Sequence, residues 1–413
     1  MESETYHRKI SSHTRHMSHF IGQPERLATT PLELGLSGAE LLLITDRYTT
    51  PGGAHWYTRR IQKRIAARSG WLGALSNDTQ VREVALWTSG LLSHLPATIA
   101  TGVLSADAET MPDGAHTGTL VMRDLRGHLL RDRHGRLLPD PPLTPPGTIP
   151  PIVLTILDHL AQLHAAYWEN PHLDDPATGL MGAHEALLLL APERLAARVA
   201  AGDTSPYLPL ALAGWEEFFR LAAPEDAATL KAVLHTPDTM LTAINKLPRT
   251  LVHGDIWGPN LGLLPATQRA PRQGTHLLLL DWALATAGPA TYDPLWLCGT
   301  WHVLHPPRVL AAYRARLQRR LASHGVTLSA ATWRALADAG YLRTTLTCGE
   351  ALARSATDAL PGAGRRRMQA RVRWWAARAA RAAQRLSKQT IVLDKAVELN
   401  NSNHFASDKS QAG

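Results

Sequence analysis

Three oxygen-bearing side chains, Asp255, Asn260 and Asp281, have the types and the spacing of a phosphoryl-transfer site. The segment 253–260 reads HGDIWGPN, and the segment 276–282 reads HLLLLDW. The carboxylate at 255 can face a substrate hydroxyl, whereas the amide at 260 and the carboxylate at 281 can offer oxygens to Mg²⁺, a hard ion that prefers such ligands. Phosphoryl transfer depends mostly on positioning and charge neutralisation, so few protein groups are needed.

The residues around these side chains predict the elements that position them. The run Thr250–Val252 is β-branched and apolar, which indicates a short strand that leads into the loop at 253. Gly254 permits a tight turn, and Pro259 stiffens the approach to Asn260. The apolar run from 276 to 280 predicts a second, buried strand, so Asp281 would project from a rigid element.

The pattern HGDxxxxN, followed by an apolar strand that ends in DW, resembles the aminoglycoside phosphotransferase and choline kinase-like family. These are small-molecule kinases with a protein-kinase-like fold, and protein kinases carry HRDxxxxN and DFG at the same places. The resemblance implies that Asp255 is the catalytic base, that His253 braces the catalytic loop, and that Asn260 and Asp281 hold magnesium. It also implies that Asp293 is a structural anchor of the loop and not a catalytic residue.

Such a fold needs a nucleotide-binding half in which a strand lysine meets a helix glutamate. Lys63 is the candidate lysine, with Arg60 and Arg64 as rivals, and Glu83 follows on a predicted helix. An ammonium at this strand position is the family's choice, which favours Lys63. The segment 62–96 also resembles uncharacterised bacterial phosphotransferases of the family.

The adenine and phosphate contacts are less clearly marked in the sequence. The segment 35–38 is a candidate for the turn that covers the phosphates, and 51–53 reads as a hairpin turn. A strand at 119–125 is expected to lead into the linker between the lobes. By the resemblance, backbone groups at Met122 and Arg123 would bind adenine. Asp124 could cap the linker or contact the ribose, and the sequence does not decide between these roles.

The resemblance covers roughly residues 30 to 360 and implies an α+β, protein-kinase-like fold of two lobes. We expect a small mixed β-sheet with one helix in the N-terminal lobe, and a larger, mainly helical C-terminal lobe. Three histidines near the start of the chain, His13, His16 and His19, are not expected to bind a metal. The predicted boundaries are a disordered segment at 1–24, the nucleotide-binding lobe at 25–123, the helical lobe with the catalytic loop and substrate site at 124–386, and a disordered tail at 387–413.

Composition agrees with a globular enzyme. The chain has 413 residues, of which 45% are hydrophobic, so it can bury a sizeable core. The two cysteines, Cys298 and Cys348, have neither the number of a disulfide framework nor the spacing of a zinc site. The first residues lack the apolar centre of a secretory signal, and no apolar run is long enough to span a membrane. A cytoplasmic protein without a membrane partner is the expectation, and the oligomeric state is not indicated.

The charge pattern bears on the substrate. Residues 365–386 predict a helix with eight arginines opposite an apolar stripe, and acids are few from Trp301 onward. Aminoglycosides are polycations whose binding requires clustered carboxylates. A neutral or anionic hydroxyl compound is therefore a better expected substrate than an aminoglycoside. The arginine-rich helix reads as a C-terminal helix with a basic solvent face; a nucleic-acid partner is not expected, because no nucleic-acid-binding motif accompanies the charge.

The sequence thus predicts an ATP-dependent phosphotransferase that moves the γ-phosphate to a hydroxyl of a metabolite, sugar or antibiotic, with ATP and Mg²⁺ as the required small molecules. Two other hypotheses remain open at this point. One is a kinase-like regulatory protein that binds nucleotide without transfer. The other is a kinase of a protein or nucleic-acid target that uses the arginine-rich helix. Intact Asp255, Asn260 and Asp281 argue against the regulatory protein.

Overall fold

The computed structural model describes residues 24–32, 38–49, 53–130, 136, 138, 148–265, 275–359 and 361–408, with side chains described up to residue 388. The expected segment at 1–24 with its histidines, the candidate phosphate-covering turn at 35–38 and the hairpin turn at 51–53 lie outside these residues, except for Pro24, Gly38 and Gly53. The chain forms two lobes, a sheet-rich one followed by a helical one, as the sequence predicted.

The N-terminal lobe is built on a five-stranded sheet in the order β1-β2-β3-β6-β5. All four pairings in this sheet are antiparallel, although we expected a mixed sheet. Two short helices lie in this lobe where one was expected. The strands are β1 (Glu25–Pro31), β2 (Glu40–Thr49), β3 (His55–Ala66), β5 (Val103–Thr110) and β6 (His116–Arg123), and the helices are α1 (Gly70–Leu75) and α2 (Arg82–Thr88).

Helix α2 carries Glu83 and packs on the sheet through its valines. Val84 and Val81 form a small apolar cluster with Leu120 of β6. The N-cap residue is Val81, and the carboxylate of Asp78 accepts the backbone N–H of Arg82, the first residue of the helix, at 2.8 Å. An acidic side chain at a helix start stabilises the exposed N–H groups there. The Asp78 hydrogen bond and the apolar cluster together fix α2 against β3 and β6.

A three-stranded sheet joins the lobes and supports the catalytic loop. Its order is β4-β9-β8, and the pair β4–β9 is parallel. A separate two-stranded sheet pairs β7 with β10. The predicted strands at 250–252 and 276–280 are confirmed. The strands are β4 (Ile99–Ala100), β7 (Thr250–Val252), β8 (Leu261–Leu264), β9 (His276–Leu279) and β10 (Thr286–Gly288).

Helices make up the rest of the C-terminal lobe, and their buried faces form one continuous core with the site-bearing strands. The segment 183–200 forms two helices, because Pro192 starts a new helix and cannot continue the previous one. The helices are α3 (Pro151–Ala166), α4 (Ala183–Leu188), α5 (Pro192–Ala200), α6 (Tyr207–Leu221), α7 (Pro224–His235), α8 (Asp238–Asn245), α9 (Tyr292–Thr300), α10 (Pro306–Ala322), α11 (Ala330–Asp358) and α12 (Ala363–Asp408).

The last helix differs from its predicted bounds. The apolar stripe of α12, including Val372, Trp375 and Leu386, is fully buried, mainly against α11. The backbone remains helical to Asp408, beyond the expected end at Leu386. The segment after Leu386 is polar but contains neither proline nor glycine before Asp408, and polarity alone does not end a helix. None of the described helices is long and apolar enough to cross a membrane.

Gly118 of β6 is expected to be needed for the packing of α2. A Cβ atom built there would lie 2.7 Å from Val84 Cγ2 and 2.9 Å from Val81 Cγ1. We predict that Gly118→Ala lowers the free energy of unfolding by about 1–3 kcal/mol, the usual cost of overpacking. Urea denaturation would measure it, with Gly127→Ala as the control, since a Cβ there meets nothing within 4 Å. Equal stability of both variants would contradict this account of the packing.

Candidate active site

The structure brings Lys63 and Glu83 together, as predicted. Lys63 Nζ on β3 lies 2.5 Å from Glu83 Oε2 on α2, and both side chains are buried. The rival Arg60 pairs instead with Asp46 at 3.0 Å, and Arg64 is exposed on the other side of the strand. Alternate residues of a strand face opposite sides of a sheet. Of the three cations Arg60, Lys63 and Arg64, only Lys63 therefore faces the side on which α2 lies.

Asp281 joins this ion pair from the C-terminal lobe. Its Oδ1 lies 3.2 Å from Lys63 Nζ, and the other oxygen of Glu83 accepts the backbone N–H of Trp282 at 3.2 Å. Burial alone would raise the pKa of Asp281, but the nearby Lys63 ammonium outweighs it and lowers that pKa. Asp281 therefore remains a carboxylate with an exposed fraction of 36%, available to a cation in the cleft.

The backbone of Asp281 is strained. Its φ is +62°, in the left-handed region that few residues other than glycine adopt, although aspartate and asparagine do so more often than most. Conformations of this kind cost free energy and concentrate at functional sites. Sequence reasoning placed Asp281 at the end of a strand but had no signal for this backbone turn, because nothing in the residue type requires it.

Asp255 lies on the catalytic loop beside Asn260. The amide nitrogen of Asn260 donates to Asp255 Oδ2 at 2.8 Å, which leaves the amide oxygen of Asn260 to face a cation. Burial and the negative charge of Asp281 raise the pKa of Asp255 to about 7, although the bond from Asn260 opposes the rise. A carboxylate with a pKa near neutrality is well suited to take a proton from a hydroxyl.

Asn260 and Asp281 fit the chemistry of a magnesium site shared with a nucleotide. Both offer oxygen, and Mg²⁺ is commonly held by one or two protein groups together with phosphates and water. Within the described part of the chain, no group of three or more His, Cys, Asp or Glu side chains could hold a metal by itself. The two residues would therefore need phosphate oxygens to complete the coordination.

His253 has a positioning role and does not face a substrate. Its Nε2 lies 3.0 Å from the carbonyl of Leu280, and its Nδ1 accepts the backbone N–H of Asp255 at 3.2 Å. Burial lowers the pKa of His253, so the ring is neutral with its proton on Nε2. Because both ring nitrogens contact backbone, this geometry agrees with the bracing role that the resemblance implied for His253.

Asp293 at the start of α9 anchors the loop through hydrogen bonds to its backbone. Its two oxygens accept the backbone N–H groups of His253 at 3.0 Å and Gly254 at 2.9 Å, and His164 Nε2 lies 3.1 Å away. His164 in turn contacts the hydroxyl of Tyr313. All these side chains are completely buried. The anchoring role predicted for Asp293 agrees with this geometry, and His164 extends the network to Tyr313.

The linker begins directly after β6. The backbone N–H of Arg123 donates to Gly102 at 2.9 Å, so that group is not free for adenine. Binding of adenine by the backbone of Met122 and Arg123 therefore stays a prediction. Asp124 accepts two bonds from the Arg126 side chain, at 2.8 and 3.0 Å, and these lower its pKa. These bonds hold Asp124 within the linker, and a contact with the ribose stays a prediction.

Arg82 is a site-forming residue that sequence reasoning missed. It follows the cap of α2 and is 2% exposed. Its guanidinium donates to the carbonyls of Gly179 and Ser76, at 2.8 and 3.1 Å, and to that of Ala283. The residue therefore ties α2 to the segment after Asp281. An arginine next to a glutamate on a helix is usually exposed to solvent, so the burial of the Arg82 side chain was not predicted from the sequence.

We predict that Asp293→Asn destabilises the protein by about 3 kcal/mol, since breaking a buried charged network costs this much. The amide keeps the shape but replaces one accepting oxygen with a donor that faces another N–H. Thermal unfolding would measure the loss, with Asp174→Asn as control because Asp174 makes only an exposed ion pair with Arg249. An unchanged melting temperature in Asp293→Asn would remove Asp293 from its role as anchor.

No family model and no curated protein matches the chain. Several solved structures show a distant similarity to it. An ethanolamine kinase from Plasmodium vivax has 8% identity and a TM-score of 0.43, covering 88% of this chain and 85% of its own. A choline kinase from Cryptosporidium parvum has 10% identity and a TM-score of 0.40, covering 91% of each chain.

An aminoglycoside-3′-phosphotransferase of type VIII has 16% identity and a TM-score of 0.35, covering 82% of this chain and 98% of its own. These similarities concern fold and not substrate. The structure has the two lobes predicted from the sequence, a sheet-rich one and a helical one. The solved structures with a distant similarity to the chain include aminoglycoside phosphotransferases and choline and ethanolamine kinases.

Proposed function

We propose that the protein is a small-molecule phosphotransferase that moves the γ-phosphoryl group of ATP to a hydroxyl. The observation that carries the proposal is the convergence of Lys63, Glu83 and Asp281 on one side of the cleft with Asp255 and Asn260 on the other. These five groups come from both lobes and are separated widely in sequence. Two carboxylates, those of Glu83 and Asp281, gather around Lys63, and the charge of Asp281 also acts on Asp255, an arrangement for which a structural core would have no use.

In the proposed reaction ATP supplies the phosphoryl group, and Mg²⁺ neutralises charge on its phosphates. Lys63 binds phosphate oxygens, while Glu83 holds the ammonium in place. Asn260 and Asp281 would hold the metal. Asp255 accepts a hydrogen bond from the acceptor hydroxyl and takes its proton as the new oxygen–phosphorus bond forms and the bond to ADP breaks. The products are ADP, a phosphate ester and one proton, and no covalent enzyme intermediate is needed.

The acids of the helical lobe support an acceptor that is not a polycation. Glu350 and Asp338 are two of the few acids after Trp301, and each already binds an arginine. Glu350 Oε2 accepts from Arg354 at 2.7 Å, and Asp338 Oδ2 accepts from Arg385 at 2.7 Å. Neither carboxylate is left to bind the ammonium groups of an aminoglycoside. Strong turnover of kanamycin-type compounds, with none of sugars or other metabolites, would overturn this preference.

Asp255→Asn is expected to abolish most transfer while it preserves nucleotide binding. Loss of a positioned general base usually lowers kcat by 10²–10⁴-fold, roughly. We would measure magnesium-dependent transfer from ATP across sugars, choline-like alcohols, other hydroxylated metabolites and antibiotics, and nucleotide affinity by calorimetry. Asp107→Asn, at an exposed position of β5, is the matched control. Transfer that persists in Asp255→Asn, or that needs no magnesium, would refute the assignment.

Tight ATP binding without transfer to any acceptor would instead favour the nucleotide-binding regulatory protein. A melting temperature that rises when ATP is added would distinguish this outcome from an inactive preparation, because it shows that the protein is folded and binds ATP. ATP turnover stimulated by nucleic acid, with a steep salt dependence, would favour a macromolecular target for the kinase.

Lys63→Met should weaken ATP binding by roughly 10–100-fold, because a charged hydrogen bond to phosphate contributes about 1.5–3 kcal/mol. Arg64→Met is the control, since Arg64 is the adjacent cation and 57% of its side chain is exposed. Titration with a fluorescent ATP analogue, together with a circular dichroism spectrum to confirm folding, would measure the difference. Equal affinities in the two variants would show that Lys63 does not contact the phosphates.

A further inference from the structure

Helix α1 belongs to the N-terminal lobe by sequence but packs on the C-terminal lobe. The ring of Trp71 stacks on that of Tyr207 of α6, with centroids 4.4 Å apart and an angle of 19° between the planes. The carbonyl of Leu75, at the end of α1, accepts a hydrogen bond from Arg194 Nη2 of α5 at 2.5 Å. Trp71 and Leu75 are both buried and belong to the continuous core of the C-terminal lobe. Helix α1 is therefore held by the helical lobe.

Tyr207 is in turn fixed by α11. Its hydroxyl donates to Glu350 Oε1 at 2.5 Å, and the other oxygen of this buried carboxylate accepts from Arg354 Nε at 2.7 Å. The guanidinium carbon of Arg354 lies 5.5 Å from the centre of the Tyr207 ring. The Nε1 of Trp71, by contrast, has no hydrogen-bond partner among the described residues. Stacking on a firmly held Tyr207, rather than a hydrogen bond, therefore fixes the Trp71 ring.

Hydrogen bonds connect α1 to α2, the helix that carries Glu83. The carbonyl of Gly73 in α1 accepts the backbone N–H of Asp78 at 3.0 Å, and the Asp78 carboxylate accepts that of Arg82 at 2.8 Å. The carbonyl of Ser76, the C-cap residue of α1, accepts from Arg82 Nη2 at 3.1 Å. Arg82 directly precedes Glu83, so a displacement of α1 would move the start of α2 and Glu83 with it.

Helix α1 also limits the access of water to the Lys63–Glu83 pair. A cavity of about 30 Å³ lies between them, and its lining includes Lys63 and Glu83 together with Leu72 and Gly73 of α1. Such a cavity has room for a few water molecules at most. If α1 moved away, more water would reach the pair and weaken its attraction, which is strong only where little water screens it.

We propose that Trp71 and Tyr207 are positioning residues of the nucleotide site. Their stack fixes α1 against the C-terminal lobe, and α1 in turn holds the Lys63–Glu83 pair in register with Asp281 of that lobe. The inference rests on the proposed contact of Lys63 with ATP phosphates and names the residues that hold this lysine in place. The site needs such a connection, because Lys63 Nζ and Asp281 Oδ1, 3.2 Å apart, come from different lobes. A misplacement of about 1 Å at a phosphotransfer site can lower the rate about 100-fold.

A second aromatic stack on α6 supplies the matched control. Phe219 stacks on Trp215 with centroids 5.4 Å apart and an angle of 23° between the planes. Phe219 lies roughly 18 Å further along α6 than Tyr207, at a rise of about 1.5 Å per residue. Phe219→Leu therefore removes a similar stack from the same helix without disturbing α1. A merely structural role of Tyr207 predicts the same behaviour of Tyr207→Leu and Phe219→Leu.

Nucleotide affinity is the first readout, and it requires no acceptor. A fluorescent ATP analogue is titrated with magnesium into the full-length wild type and each variant. Tyr207→Leu is expected to weaken binding roughly 3–10-fold, the effect of losing an aromatic pair that the site depends on. Tyr207→Phe keeps the ring and Phe219→Leu leaves α1 in place, so both should stay within about twofold of wild type. Equal affinities of Tyr207→Leu and Phe219→Leu would overturn the positioning role.

Two further measurements separate positioning from a general loss of stability. In the nucleotide-free protein, the backbone amides of α2 should exchange hydrogen faster in Tyr207→Leu than in Phe219→Leu. In turnover, Tyr207→Leu should raise KM for ATP and leave KM for the acceptor unchanged. An α2 that exchanges equally fast in the two variants would contradict the proposed route through α1.

A double-mutant cycle tests whether the stack itself carries the effect. Trp71→Leu and Tyr207→Leu each remove the same contact, so their effects on nucleotide affinity should not add in the variant that carries both. Fully additive effects would show that the two rings act separately and would refute the stack as the connection. Trp71→Phe, which keeps a smaller ring, should weaken binding less and serves if the leucine variants fail to fold.

The positioning role and the proposed phosphotransfer fail in different ways. Transfer by wild type, with a nucleotide affinity that Tyr207→Leu does not change, would refute the positioning role and leave phosphotransfer intact. Absence of transfer to every acceptor, with an affinity that still depends on the stack, would count against phosphotransfer and keep the positioning role. A wild type that binds no ATP would overturn both.

Discussion

The buried carboxylate of Asp293 is the interaction on which the active site depends. It accepts two consecutive backbone N–H groups of the catalytic loop, at His253 and Gly254, and pairs with His164 from α3. Backbone N–H groups of a tight turn cannot bond one another, so a buried turn needs an acceptor from elsewhere. Gly254 has a φ of +85° and its Cα lies against the carbonyl of Leu284, which leaves no room for a side chain.

Short hydrogen-bonded connections link Asp293 to the other residues of the site. The ring of His253 binds the carbonyl of Leu280, which precedes Asp281, and the side-chain amide of Asn260 donates to the carboxylate of Asp255. Glu83 then connects the lobes, because one of its oxygens binds Lys63 and the other binds the backbone of Trp282. The positions of the base, the proposed metal ligands and the phosphate lysine are therefore not independent, and a shift in one is transmitted through hydrogen bonds to the others.

Sequence reasoning was most successful where chemistry fixes both residue type and spacing. The two strands that flank the loop were predicted from short apolar runs, whereas the Lys63–Glu83 pair was predicted from the resemblance, because kinases need a strand lysine and a helix glutamate. The left-handed turn at Asp281, the buried bonds of Arg82 and the stack of Trp71 on Tyr207 were not predicted. Each depends on contacts with residues more than 90 positions away, such as Gly179 for Arg82. In addition, the sequence pattern of a helix does not distinguish an arginine that faces solvent from one that faces the interior.

The short parallel pairing of β4 with β9 has a consequence for folding. Ile99 and Ala100 belong by sequence to the first lobe but pair with Leu277 and Leu278 of the second. A chain cut after Arg123 would leave one edge of the catalytic sheet without its neighbour and expose apolar residues on both pieces. Together with the Arg82 bonds across the cleft, this interlocking favours a single cooperative unfolding transition over separate melting of the lobes, because neither half can complete its own hydrogen bonding alone.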